Sequence, residues 1–249
     1  MHPVTRSGNS ALDGLISIGA IVCLLLAGGT VLGLANRKHF SFGWLVTAAA
    51  LVFINDLLLT NGYGLIPDML PASDWNWQGK ILALVGTLAI ASLPGFGWKR
   101  TGLTLVQSEG SLKSCIPGAL LYCLFFLAIG LAFPSDAASA ETVAFQLTMP
   151  SLEEEAFYRG ILLLALYEAF TRGANRFGVE WRWGALASCL LFGLAHAFAY
   201  TDGAFAFDPI YMALTAIPSF LAVWMRLRTG SILLPIVLHS FGNSISLLL

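Results

Sequence analysis

Charge is scarce in this chain. Of 249 residues, 11% are charged and 57% apolar, and the mean hydropathy is +0.77. Soluble domains carry about 25% charged and roughly 45–50% apolar residues, which argues against a soluble fold. Basic residues are not in excess either: 13 Lys and Arg stand against 14 Asp and Glu, a net charge of −1. That leaves no basic surface for nucleic acid. Cysteine is sparse too. Cys23, Cys115, Cys123 and Cys189 each sit in an apolar run with no CxxC pair, the pattern of small core residues and not of a disulfide scaffold. The first apolar run lacks a small-residue cleavage signature and leads straight into Arg37-Lys38, so it reads as a retained span. No internal repeat, low-complexity tract or appended soluble domain interrupts the apolar pattern.

What the chain has in quantity is apolar sequence in runs. They fall at about 14–34, 42–60, 79–97, 115–133, 141–170, 183–200, 209–226 and 230–248. Unsatisfied peptide groups are too costly in hydrocarbon for open strands. The expectation is therefore an all-α, polytopic integral membrane protein of about eight transmembrane helices. The fifth run is longer than a bilayer requires and contains Pro150, where a kink or an oblique start is expected. Loop charges alternate along this scheme. Arg37, Lys38, Lys99, Arg100, Lys113, Arg172, Arg176, Arg182, Arg226 and Arg228 follow the odd-numbered runs. Asp68, Asp74, Asp136, Glu141, Asp202 and Asp208 lie in the other loops, with Lys80 as their basic neighbour at a helix end. By the positive-inside rule both termini face away from the cytoplasm.

A few ionisable groups sit within the apolar runs, where a charge costs roughly 2.5–3.5 kcal/mol on insertion scales. Ser151-Leu152-Glu153-Glu154-Glu155-Ala156-Phe157-Tyr158-Arg159-Gly160 leads into the apolar stretch Ile161 to Phe170. Glu155 and Arg159 are four apart, acid before base, and so pair on one helical face. Glu154 lies about 100° further round, away from that partner. Capping of a helix N-terminus explains one such acid readily, but not three with a matched Arg. Phe192 and His196 share a face in the sixth run, as do His239 and Asn243 in the eighth. Each of these polar groups alone has a structural explanation in interhelical hydrogen bonding. Together they are better explained by function. At about 1.5 Å of rise per residue, Glu154, His196 and His239 reach similar depths, near the midplane or in the extracytoplasmic half.

This set suits hydrolysis. Glu154, helped by His196, is placed to deprotonate a water that attacks a peptide carbonyl. His239 and Asn243 are the candidate donors to the oxyanion, with Glu155 and Arg159 as support. No cofactor is required by this scheme. The alternative is a catalytic zinc on Glu154, His196 and His239, although no His in the chain starts an HExxH. Serine and aspartate intramembrane chemistry are disfavoured because neither GxSG nor GxGD occurs. Two non-hydrolytic readings use the same polar pocket: an immunity or signalling protein, or a proton-coupled transporter. No matching pair of Gly/Pro-broken spans in the two halves supports transport.

Glu154-Glu155-x-x-x-Arg159, Phe192-x-x-x-His196 and His239-x-x-x-Asn243, in that order over roughly residues 141–249, resemble the three-motif signature of the CPBP (CAAX protease and bacteriocin-processing, or Abi) family. These are intramembrane endopeptidases. The resemblance implies an eight-span helical fold and water activation by Glu154 and His196. It further implies an oxyanion role for His239 and Asn243. On this basis 1–249 is expected to be one integral membrane domain, with 1–140 as scaffold or gating spans and 141–249 as the catalytic half. The expected partners are a membrane-associated protein or peptide substrate and the lipid bilayer. The expected location is a prokaryotic cytoplasmic membrane.

Overall fold

A computed structural model describes residues 8–135 and 137–249; the loop acid Asp136 and the histidine at position 2 lie outside the described residues. In chain order the helices are α1 (Gly8–Leu34), α2 (Phe42–Leu59), α3 (Trp77–Ala91), the one-turn α4 (Trp98–Thr101), α5 (Ser111–Ala132) and α6 (Ala140–Glu154). A π-helical stretch, Glu155–Leu162, joins α6 to α7 (Leu163–Ala169). A hairpin of β1 (Gly173–Arg176) and β2 (Val179–Arg182) leads to α8 (Trp183–Ala197). A second hairpin, β3 (Phe198–Thr201) and β4 (Ala204–Phe207), precedes α9 (Pro209–Thr229) and α10 (Leu233–Leu248).

The chain is mostly helical, and among the described residues four helical segments are long and apolar enough to cross a membrane: Ala11–Leu34, Phe42–Leu59, Ser111–Ala132 and Pro209–Thr229. Three further apolar helices, α3, α8 and α10, have only 15, 15 and 16 residues. That is short of the roughly 20 residues a bilayer core asks of a helix. Eight full-length spans are thus more than helix lengths alone provide. Helix α3 stops at Ala91, ahead of Leu93-Pro94-Gly95, because the position before a proline is pushed out of helical geometry. Helix α8 gives way at Phe198 to β3, so residues 198–200 are strand where helix was expected. That hairpin turns on Asp202-Gly203, both with positive φ (52° and 81°), the backbone that matches strand twist in a two-residue turn. Pro150 falls inside α6. The irregularity comes one turn later, as the π-helical stretch.

Two compact units divide the chain, each assembled from an early and a late segment. Among the described residues, the first unit comprises 8–68 and 162–220. Within it α1 packs on α2 and α8, α2 on α7, and α7 on α8. A Cβ added at Gly184 would stand 2.6 Å from the Leu166 carbonyl, so α7 and α8 approach as only glycine allows. The α1–α2 link is tied to the end of α7 by Ser41 N–H donating to the Ala169 carbonyl (2.9 Å) and by Phe40 stacked on Phe170 at 5.6 Å.

The second unit comprises residues 69–161 and 221–249. Helix α10 packs on α5 and α6, and α3 on α6. Cys115, Tyr122, Met225 and Leu238 form a buried core. Outward-facing residues of α5 are apolar as well, with Leu120 58% and Leu124 61% exposed, as expected where lipid is the solvent. Before α3 the chain is strapped to α6 by one carboxylate. Glu141 Oε1 accepts from Ser73 Oγ (3.1 Å), Asp74 N–H (3.2 Å) and Trp77 Nε1 (3.1 Å), while Trp75 stacks on Phe145 at 5.0 Å. Asn76 caps α3 by accepting from Gly79 N–H at 3.0 Å. The first turn of α3 is therefore held firmly.

Candidate active site

In the second unit three consecutive carboxylates meet three cationic or ionisable partners. Glu153 and Glu155 are buried, at 0% and 1% exposure, at the junction of α6 and the π-helical stretch. Arg159 Nε lies 3.2 Å from Glu155 Oε2, the pairing expected from their spacing. The pair forms in π- and not α-helical geometry; such wide turns occur mostly as short insertions, frequently at functional sites. Glu155 Oε1 faces His239 Nδ1 at 2.8 Å, so one carboxylate joins Arg159 to α10. The other ring nitrogen, His239 Nε2, is 3.7 Å from Glu154 Oε2.

Glu154 does lie off the Arg159 partnership, but it has a cation of its own. Lys80 Nζ is 2.6 Å from Glu154 Oε1 and 2.7 Å from Glu153 Oε2. By sequence Lys80 is only a basic residue near a helix end. Its spacing from the acids, 73 and 74 residues, carries no local signal. Glu153 was likewise unassigned, and it proves to be the anchor that holds the ammonium beside Glu154. Below the pair, Ser151 Oγ and Ser240 Oγ meet at 2.7 Å and pin α6 to α10. Asn243 lies one turn beyond His239 on α10 and is half-buried. The unit thus brings together Glu154, Glu155, Arg159 and His239 and places Asn243 on the same helix.

Phe192 and His196 belong to the first unit, at the end of α8. Their rings are 4.7 Å apart, as the four-residue spacing predicts. His196 Nδ1 lies 2.8 Å from the Phe192 carbonyl. A carbonyl only accepts, so Nδ1 carries the proton and a neutral ring keeps its lone pair on Nε2. His196 also lines a cavity of about 630 Å³, together with Phe198, Phe207 and Asp208.

The zinc alternative meets competition at Glu154. Among the described residues no group of three or more His, Cys, Asp or Glu side chains is arranged to hold a metal ion. Locally, the ammonium of Lys80 contacts Glu154 Oε1, and Glu155 Oε1 faces His239 Nδ1. A positive charge already in contact with the carboxylate opposes a second one.

Residues 137–245 match the family model described as type II CAAX prenyl endopeptidase Rce1-like. Over this stretch, less than half of the chain, the sequence is similar to that family. The family supports a CAAX-type membrane protease, as the three motifs implied. No curated protein and no solved structure matches the chain. The matched stretch contains the three glutamates, Arg159, Phe192, His196, His239 and Asn243, whereas Lys80 lies outside it.

Proposed function

We propose that the chain is an intramembrane endopeptidase that cleaves a membrane-associated protein or peptide by glutamate-activated water. Glu154 is the general base. Its Oε2 takes a proton from the water, and the family resemblance gives His196 the assisting role. The water oxygen attacks the carbonyl carbon of the scissile peptide bond. The resulting oxyanion accepts hydrogen bonds from His239 Nε2–H and the Asn243 side-chain amide. Collapse breaks the C–N bond, and the proton held by Glu154 leaves with the amine.

The observation that carries this reading is the 3.7 Å approach of Glu154 Oε2 to a His239 ring held from its far side by Glu155. It puts a base and a potential oxyanion donor side by side, as hydrolysis of an amide needs. Glu155 and Arg159 support His239, and Phe192 supports His196 through its carbonyl. Helices before residue 140 serve as scaffold or gate, and 141–249 as the catalytic half. Helix α6 with the π-helical stretch and α7, and the seven apolar helices α1, α2, α3, α5, α8, α9 and α10, make up eight crossings of a prokaryotic cytoplasmic membrane, with both termini outside.

Quantitative mass spectrometry of membrane proteins from cells carrying the wild-type chain or Glu154→Gln tests this. A C-terminal or juxtamembrane cut that needs the wild-type chain and disappears with Glu154→Gln is the expected result. Cutting that persists in the variant removes the peptidase reading and leaves a polar binding pocket or a proton relay.

A further inference from the structure

We infer that Lys80 is a positioning residue of the hydrolytic site, supplied from outside the matched stretch, that fixes which oxygen of Glu154 acts as the base. The inference rests on the peptidase reading above and extends it to a residue on α3. Lys80 Nζ holds Glu154 Oε1 at 2.6 Å, and this leaves Oε2 as the oxygen turned toward His239 Nε2 at 3.7 Å. Glu153 Oε2, at 2.7 Å, anchors the same ammonium from a fully buried position. The ammonium is thus fixed from the carboxylate that has no assigned chemistry and presented to the one that does. Its own helix is tied down at that point by two hydrogen bonds. Asn76 caps the first turn, and the Gln78 side chain accepts from Met69 N–H at 2.7 Å.

Stability alone is a poor reason for the arrangement. Buried ion pairs often contribute no more than apolar residues of similar volume, because desolvation offsets the Coulomb attraction. Orientation is a better one. A carboxylate free to rotate offers its proton-accepting oxygen in the productive direction only part of the time. A mispositioning of about 1 Å costs roughly 10²-fold in rate. Lys80 removes that freedom for Glu154, as the guanidinium of Arg159 does for Glu155.

The test uses the full chain in its native membrane and follows the rate of the cut that depends on it. Lys80→Met alone strands two carboxylates, so the informative variant is Lys80→Met with Glu153→Gln, which removes one charge of each sign. Lys80→Gln is read beside it, and rates are normalised to folded protein in the membrane. With Glu154 intact, both are expected to slow the cut by roughly 10²-fold. Lys80→Arg, which keeps a cation that reaches both carboxylates, is expected to restore most of the rate. A double variant that cuts at the wild-type rate while Glu154→Gln is inactive overturns the role of Lys80 and leaves the peptidase standing. Failure of Lys80→Arg to exceed Lys80→Gln overturns it as well. A cut that survives Glu154→Gln, or the absence of any cut that depends on the chain, removes the peptidase reading and this inference with it.

Discussion

Glu155 holds the His239 ring by a 2.8 Å contact to Nδ1 while its second oxygen pairs with Arg159 at 3.2 Å. A single buried carboxylate therefore sets the position of a side chain 84 residues away. Neither partner can lose it cheaply, because each would be left as a polar group in a dry interior.

Replacing Glu155 by Ala is expected to destabilise the protein by about 3–5 kcal/mol, the usual cost of leaving one member of a buried ion pair behind. Thermal unfolding in detergent, followed by intrinsic fluorescence, measures it. Adding Arg159→Met to that variant is expected to recover part of the loss, since the stranded guanidinium is then gone. A single variant as stable as wild type would show that the pair is not buried as described.

His239→Ala and Asn243→Ala are expected to fold and to cut roughly 10²–10³-fold more slowly, the range for loss of one oxyanion donor. Their combination is expected to cost less than the product of the two, because both act on one oxygen. The cleavage rate per folded molecule is the measurement. Full activity in either variant would remove that side chain from the oxyanion role.

Chelation with 1,10-phenanthroline is expected to leave cleavage unchanged, and elemental analysis of purified protein is expected to show no stoichiometric zinc. The grounds are local. Lys80 already contacts Glu154, and no three ligating side chains converge among the described residues. Chelator-sensitive cleavage restored by added zinc would return the metal mechanism to consideration.

Much of this was legible in the sequence, for identifiable reasons. Membrane character follows from composition, because hydrocarbon tolerates little else. The Glu155–Arg159 and Phe192–His196 contacts are local, and four-residue spacing on a helix leaves few alternatives. The hairpin at 198–207 was not read from the sequence: Asp202-Gly203 sits between alternating residues, but the apolar run beside it carries the expected helix on to 200. The hairpin at 173–182 is harder to read, since its turn places Phe177, not Asn or Asp, at positive φ (53°). The π-helical geometry of Glu155–Leu162 has no sequence signature of this kind. Its turn differs from an α-helix only in which carbonyl each N–H reaches.

By itself, the order of residues determined a helical membrane protein with three polar motifs on separate apolar segments, since periodicity and solvent preference are properties of short stretches. Tertiary structure alone decided that Lys80 stands against Glu153 and Glu154, and that His239 rests on Glu155. Contacts between side chains 73 to 84 residues apart depend on how α3, α6 and α10 pack, and packing is a property of surfaces that no local pattern encodes.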